Sequence, residues 1–258
     1  MSYKPPRRPQ FFYTTAPLPC PYVAGRIERK VVTEIAGPEA DMLHDRLSRA
    51  GFRRSHNIAY APVCPGCNAC IPIRVPVRDF QPDRTLRRIA RANEQLEGYE
   101  VPARANAEQF QLFQRYQQAR HRDGDMASMS FYDYRAMVED TPIDTFIAEF
   151  RDESDRLVGA CLTDRLGDGL SAVYSFYAPG LEKRSIGTYT ILWLIERARL
   201  SGLPYVYLGY WVPESRKMAY KARFKPSEIL AGGVWRVLTE ADLTTPAGAR
   251  ALVPETAG

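Results

Sequence analysis

LEKRSIGTYTILWLIERARLSGLPYVYLGYW, residues 181–211, holds a helix and a strand back to back. Ile186, Tyr189, Thr190, Trp193, Leu194 and Ala198 recur at helical steps, which predicts an amphipathic helix over Ser185–Leu200. Gly202-Leu203-Pro204 ends it, and Tyr205–Tyr210 then reads as a strand. Upstream, Ile143–Phe150, Leu157–Asp164 and Leu170–Tyr177 are three strand candidates joined by charged or glycine-containing turns, a meander. Two helices precede it: Ala107–Arg120, and one that begins at the N-cap Ser130 and ends near Val138. Met218–Ala222 suggests a short helix and Ile229–Leu238 a closing strand.

The first half is less regular. Val31–Ile35 reads as a short strand, Pro38–Ala50 as a helix stopped by Gly51, and Phe52–Tyr60 as a strand. Pro62–Cys70 is a tight loop. Two prolines confine Ile71–Val77 to an edge strand or loop. Thr85–Leu96 predicts a basic amphipathic helix, and the domain boundary is expected between Gln81 and Ala107. The order of elements predicts an α+β protein. Residues 96–245 form an acetyltransferase-like (GNAT-like) mixed sheet flanked by helices, in which a helix start meets a phosphate group. Residues 1–95 form a smaller N-terminal α/β region with the cysteines, and 246–258 a flexible tail.

The 258 residues are 45% hydrophobic and 11% aromatic, which excludes a mostly disordered chain. Five cysteines are too few for a disulfide scaffold, and no apolar run is long enough to span a membrane. The start, MSYKPPRRPQFF, lacks an apolar h-region, so a cytoplasmic location is expected. A net charge of +5 permits an anionic partner without requiring one. The basic residues lie in three segments: Lys4–Lys30, Arg74–Arg91 and Arg216–Lys225. On one face they would make a phosphate-attracting surface; apart, they are three solvated stretches.

Cys64, Cys67 and Cys70 form C-P-G-C-N-A-C, and Cys20 stands upstream as a fourth sulfur. Two-residue gaps let several thiolates face one centre, which suits zinc or an iron–sulfur cluster; reduced thiols in a turn are the alternative. At Lys183, Arg184, Ser185 and Gly187 a capped helix start carries two cations and a glycine, which suits a phosphate or is an ordinary helix start. The strand at Tyr205 leads into Lys217, Tyr220 and Lys221. Rings and cations together suit a nucleotide, with Lys217 and Lys221 on one helix face. Alternation sends Val206, Leu208 and Tyr210 one way, Tyr205, Tyr207 and Gly209 the other.

These residues carry a resemblance. The chain is similar to the bacterial aspartate/glutamate leucyltransferases, relatives of the eukaryotic arginyl-tRNA–protein transferases. It matches in C-P-Y at Cys20–Tyr22, the cysteine loop with I-P-I-R after it, S-F-Y-A-P at Ser175–Pro179, R-S-I-G-T-Y at Arg184–Tyr189 and YVYLGYWVPESRKMAYK at Tyr205–Lys221. The resemblance implies an aminoacyltransferase of the N-end rule pathway. It would move leucine from leucyl-tRNA to proteins beginning with Asp or Glu, on an acetyltransferase-like fold. Its partners would be that tRNA and those proteins, with no DNA and no membrane. A metal or cluster at Cys20, Cys64, Cys67 and Cys70 stays open, because Cys20 lacks a C-x-x-C partner. No cofactor is required for the chemistry.

Amine attack on an aminoacyl ester needs placement more than a strong base. With only His44, His56 and His121, no serine–histidine–carboxylate set can be read. Arg74, then Arg78, are the candidate readers of the acceptor's carboxylate, or else structural ion pairs. Lys183, Arg184, Ser185 and Gly187 are expected at the tRNA 3′ end. Tyr207, Tyr210 and Tyr220 are expected around the aminoacyl-adenosine, with Lys217 and Lys221 on phosphates or the ester; Tyr210, Lys217 and Tyr220 are the candidate catalytic groups. Arg84, Arg87, Arg88 and Arg91 are the candidate outer tRNA contacts, or a protein-partner surface. The alternatives are arginyl-tRNA as donor, a small-molecule N-acyltransferase using acyl-CoA, and an RNA-binding regulator.

Overall fold

The structure is a computed structural model describing residues 9–244. The chain runs β1 (Tyr13–Thr14), β2 (Leu18–Pro19), β3 (Ile27–Glu28), β4 (Lys30–Glu34), α1 (Ala40–Arg49), β5 (Arg53–Ser55), β6 (Ile58–Pro62), β7 (Ile71–Pro76), α2 (Arg84–Arg91), β8 (Glu97–Pro102), α3 (Ala107–Arg120), α4 (Phe131–Glu139), β9 (Thr145–Arg151), β10 (Leu157–Leu166), β11 (Gly169–Tyr177), α5 (Ile186–Leu200), β12 (Tyr205–Trp211), β13 (Glu228–Ala231), β14 (Val234–Val237) and α6 (Glu240–Thr244). The tail expected at 246–258 lies outside the described residues.

Eight strands make the main sheet, in the order β14-β13-β7-β12-β11-β10-β9-β8. Only β11 and β12 run parallel; the meander β9–β10–β11 forms as its turns predict. Alternation divides the sheet's side chains between two cores. Phe146, Ala148 and Phe150 pack with Leu86 of α2 and Ile186, Ile191 and Leu194 of α5. Ile147 points the other way, onto Leu112 and Phe113 of α3 and Tyr134 and Val138 of α4. This is the expected α+β mixed sheet flanked by helices.

Local chemistry starts the helices. Asn106 and Gln109 make a reciprocal capping box on α3, as Ser130 and Asp133 do on α4. Asp83 accepts from Leu86 N at 2.7 Å to cap α2, a contact of about 1 kcal/mol.

Several strand expectations change. Ile71–Val77 was expected at an edge, yet β7 lies inside the sheet between β13 and β12. Its prolines are tolerated by position: β13 pairs only with Ile73 and Arg74, while Pro72 and Pro76 flank that contact. The strand expected at 229–238 is a hairpin, because Gly232 and Gly233 take positive φ of 59° and 79°. The strand expected at 52–60 is likewise the hairpin β5–β6. β8, within the expected linker, forms the far edge of the main sheet. A division at residue 95 therefore cuts across the sheet: β7 precedes it in sequence and pairs with strands from beyond residue 200.

The smaller sheet, β1-β4-β6-β5, is joined to the large one by a buried ion cluster. Asp164 of β10, with no exposure, accepts from Arg54 Nε at 2.8 Å and Nη2 at 2.6 Å. His44 Nε2 of α1 stands 3.2 Å away, and Thr145 Oγ1 donates at 3.0 Å. Burial alone would raise the Asp164 carboxyl; hydrogen bonds from His44 and Arg54 outweigh it and hold the group down to about 2.

Removing Arg54 leaves a charged carboxylate buried with only His44 and the Thr145 hydroxyl beside it. Arg54→Met is expected to destabilise the protein by about 3–5 kcal/mol in urea unfolding at pH 7. A depressed folded-state pKa stabilises above the unfolded value, so the difference from wild type should persist at neutral pH and shrink as pH falls from about 4 toward 2.

Candidate active site

β11 and β12 pair only at Gly169–Tyr205, Leu170–Val206 and Ser171–Tyr207. Beyond these the strands part. β11 runs on to Tyr177, while the register of β12 on β7 shifts between Tyr207 and Tyr210, with Gly209 at φ 75°. This bulge corrects the alternation: Tyr210 leaves the side of Val206 and Leu208, and its hydroxyl bonds between Gly51 O (3.1 Å) and Tyr60 O (3.2 Å).

The parting strands leave backbone carbonyls of β11 without strand partners. Arg53 of β5 supplies donors: Nη2 to Ala172 O at 2.7 Å and to Val173 O at 3.1 Å. A Cβ on Gly209 would lie 2.7 Å from Arg53 Nε, so glycine here permits both the backbone turn and the guanidinium's approach. Lys221 closes the same region. It is buried and donates from Nζ to Tyr210 O at 2.8 Å. Burial, with the neighbouring charge of Arg53, pushes its amine down to about 7.

The start of α5 lies on the same side of the molecule as the basic helix. Ser185 sits in the left-handed region at φ 52°, between a 3₁₀ turn at Glu182–Arg184 and α5, and its side chain makes no cap bond. The cap expected of that hydroxyl is replaced by backbone geometry. Asn93, fully buried just after α2, donates to Arg184 O at 2.7 Å and to Ile89 O at 2.8 Å, and accepts from Arg184 Nε at 3.2 Å. Arg184 Nη2 is buried and has no partner. Leu86 and Ile89 anchor α2 inward, so Arg84, Arg87, Arg88 and Arg91 all point to solvent beside this helix start.

Aromatic contacts link the two regions. A Cβ on Gly187 would come within 3.2 Å of the Tyr177 ring. Tyr177 packs against Tyr116 (5.0 Å between centroids), Tyr116 against His121 (5.4 Å), and His121 Nδ1 lies 3.2 Å from Lys217 Nζ. Burial pushes the Tyr220 hydroxyl up to about 12. It is therefore a proton donor at neutral pH.

The four N-terminal cysteines come together. Cys20, Cys64, Cys67 and Cys70 line one pocket with Tyr22, Tyr60 and Tyr210. Cys20 Sγ accepts from Val23 N and Cys64 Sγ from Arg29 N, each at 3.4 Å. Burial, then the other three sulfurs, push the Cys70 thiol up to about 12. Among the described residues, however, no group of three His, Cys, Asp or Glu side chains converges closely enough to hold a metal. The sulfurs ring the pocket without forming a ligand set.

The family model described as arginine-tRNA-protein transferase, C terminus, matches residues 108–231, and that of the N terminus matches residues 18–88. An aspartate/glutamate leucyltransferase of Gluconacetobacter diazotrophicus is 68% identical over 92% of each chain. One of Granulibacter bethesdensis is 67% identical over 93% of this chain and 90% of that one. The chain belongs to the aspartate/glutamate leucyltransferase family. Among solved structures, that of L-PGS from Bacillus licheniformis aligns at a TM-score of 0.48 and 14% identity, over 66% of this chain and 58% of that chain.

Within this leucyltransferase the expected residues fall into two sets. Gly187 and Lys217 lie along one chain of contacts through Tyr177, Tyr116 and His121, with Arg184 and Ser185 directly before Gly187 and exposed Lys183 at its edge, while the Tyr220 ring packs on Phe224. Tyr210 and Lys221 lie at the parted strands. Lys217 and Lys221 do not share a face: the 3₁₀ turn begins only at Ala219, leaving Lys217 exposed while Lys221 is buried.

Arg74 has the structural role that was its alternative. Its Nε pairs with Glu228 at 2.7 Å, its Nη1 donates to Tyr207 at 3.2 Å, and Tyr205 and Trp235 enclose it at 3.6 and 4.3 Å. The Tyr207 hydroxyl donates to Asp168 Oδ2 at 3.1 Å and belongs to this cluster. Arg78 is exposed beyond β7. Arg53 was missed. Its only sequence sign is the doublet Arg53-Arg54 in an irregular strand, and its partners lie about 120 residues onward.

Proposed function

We propose that the protein is an aminoacyltransferase that moves leucine from leucyl-tRNA to the N-terminal α-amine of proteins beginning with Asp or Glu, marking them for degradation by the N-end rule. The observation that carries this is the 68% identity, over 92% of both chains, to a relative bearing that name. The site chemistry agrees with it.

The acceptor amine has an unperturbed pKa of about 7.7–8.0, so part of it is neutral at physiological pH. It attacks the ester carbonyl carbon. The C–N bond forms, the bond to the terminal ribose oxygen breaks, and that oxygen leaves with a proton while the amine loses one. The protein's task is placement and stabilisation of the tetrahedral oxyanion. In this reading the leucyl ester lies in the opening between β11 and β12. Tyr220, a protonated donor, faces the oxyanion. Lys183, Arg184 and the first amides of α5 hold the 3′-terminal phosphates, and Lys217 a neighbouring one. Arg84, Arg87, Arg88 and Arg91 continue the cationic surface along the acceptor stem. Tyr210 and Lys221 support the opening from beneath.

The family model's name raises arginyl-tRNA as an alternative donor. The charge at the opening favours leucine. A pocket for arginine needs an acid, whereas the groups here are the cations Arg53 and Lys221, and no carboxylate is bonded to either among the described residues. No helix among the described residues is long and apolar enough to cross a membrane. The cysteine pocket, as its sulfurs are arranged, does not fit a zinc ion or an iron–sulfur cluster, and no step of the transfer is routed through one.

Three measurements follow. Leucyl-tRNA and arginyl-tRNA are offered with peptides beginning with Asp, Glu, Lys and Arg. Leucine is expected on the Asp and Glu peptides alone; arginine transfer, or turnover with an acyl-CoA and no tRNA, rejects the reading. Changing Arg84, Arg87, Arg88 and Arg91 together to Gln is expected to weaken leucyl-tRNA binding and flatten its salt dependence by about one unit of slope per lost phosphate contact; an unchanged slope places the tRNA elsewhere. Protein purified without oxygen is expected to carry no stoichiometric zinc or iron, and Cys70→Ser to keep its leucine transfer; about one zinc or one cluster per chain, lost in Cys70→Ser, would overturn this.

A further inference from the structure

Arg53 enters the opening in the large sheet from a strand of the small one, and its partners are all uncharged. Nη2 serves the carbonyls of Ala172 and Val173, and Nη1 stands 3.5 Å from Ser171 Oγ. A guanidinium has five N–H donors, so these contacts leave donors over. Other arginines that reach this sheet are neutralised by a carboxylate: Arg54 by Asp164, Arg74 by Glu228, Arg151 by Glu149 and Arg165 by Glu100. Among the described residues no carboxylate lies within ion-pair distance of Arg53. Beside it is the buried amine of Lys221, which donates to the Tyr210 carbonyl.

A guanidinium partly removed from water, without an acid and beside a buried amine, is unfavourable by desolvation, and by repulsion whenever that amine is protonated. An incoming carboxylate relieves both. The acceptor of the transfer brings one, attached to the same residue as the reacting amine. The group that reads this carboxylate must therefore stand within a side chain's length of the ester carbonyl, and Arg53 is in that opening.

We propose that Arg53 is the specificity-determining residue for the acceptor: its spare donors pair with the side-chain carboxylate of the N-terminal Asp or Glu, while Nη2 stays tied to β11. This rests on the leucine-transfer reading above. The guanidinium is anchored at two carbonyls and free at its other donors, so its position is fixed while its reach suits either acid.

The test compares wild type, Arg53→Gln and Arg53→Lys in leucine transfer from leucyl-tRNA to matched peptides beginning with Asp, Asn, Glu and Gln. Wild type is expected to prefer acid over amide by about a hundredfold or more in kcat/KM, the range of a desolvated charge pair. Arg53→Gln should bring that preference below about tenfold, through acceptor KM, with leucyl-tRNA affinity within about twofold of wild type. Arg53→Lys keeps the charge but moves it, so the ratio of Asp to Glu transfer should shift several-fold. A structural role would lower all four peptides together.

An active wild type whose Arg53→Gln variant keeps the acid preference overturns the inference alone. An Arg53→Lys enzyme with an unchanged Asp-to-Glu ratio does the same, and decides the matter if Arg53→Gln does not fold. Wild-type protein that moves leucine to no peptide overturns the transfer reading and this inference with it.

Discussion

A sheet whose two parallel strands separate halfway is the constraint from which the site follows. Where β11 and β12 part, backbone groups lose their ladder partners, and a buried backbone group without a partner is costly. Here the cost is offset by a side chain from outside the sheet. Arg53 takes the carbonyls of Ala172 and Val173, and the positive φ of Gly209 makes room for it. The opening is thus held apart by a cation, and the same cation gives it a charge preference. Around it, the α5 start and α2 are tied together by Asn93, which accounts for a basic surface leading toward the opening.

The small sheet is part of this arrangement. Arg53 and Arg54 are adjacent and, as alternation requires of a strand, serve different purposes: Arg54 locks onto Asp164, and Arg53 reaches the gap. Tyr210 reinforces the joint by bonding backbone carbonyls of Gly51 and Tyr60. The cysteine pocket adjoins Tyr210, so the loop at 64–70 packs behind the site. Its sulfurs lie close enough to raise the Cys70 thiol and too dispersed to form a ligand set.

Much of the fold was legible because its signals are local. The meander, α3, α4 and α5 follow from periodicity, turns and caps within a few residues of each end. The misplaced elements depend on distant partners. β7 contains two prolines that argue for an edge, and only the short register with β13 lets it lie inside. β8 has no strong alternation and is defined by β9 alone. The site divides in the same way. The 184–187 and 217–221 segments announce themselves by glycine, cations and rings in one short stretch. Arg74 looked like a carboxylate reader, since Glu228, which neutralises it, comes 154 residues later. Arg53 carried only the Arg53-Arg54 doublet as a local sign, with its partners about 120 residues onward.

The central claim is that the leucyl end of the donor lies between β11 and β12 while its phosphates meet the start of α5. It is tested most directly by a structure of the protein with a short tRNA 3′-end analogue carrying leucine through an amide, which the transfer reaction cannot cleave as an ester. Density for the leucyl-adenosine in the opening, with a phosphate beside Lys183, Arg184 and Gly187, is the expected result. The analogue seated in the cysteine pocket, or bound with no phosphate near the start of α5, would contradict the account.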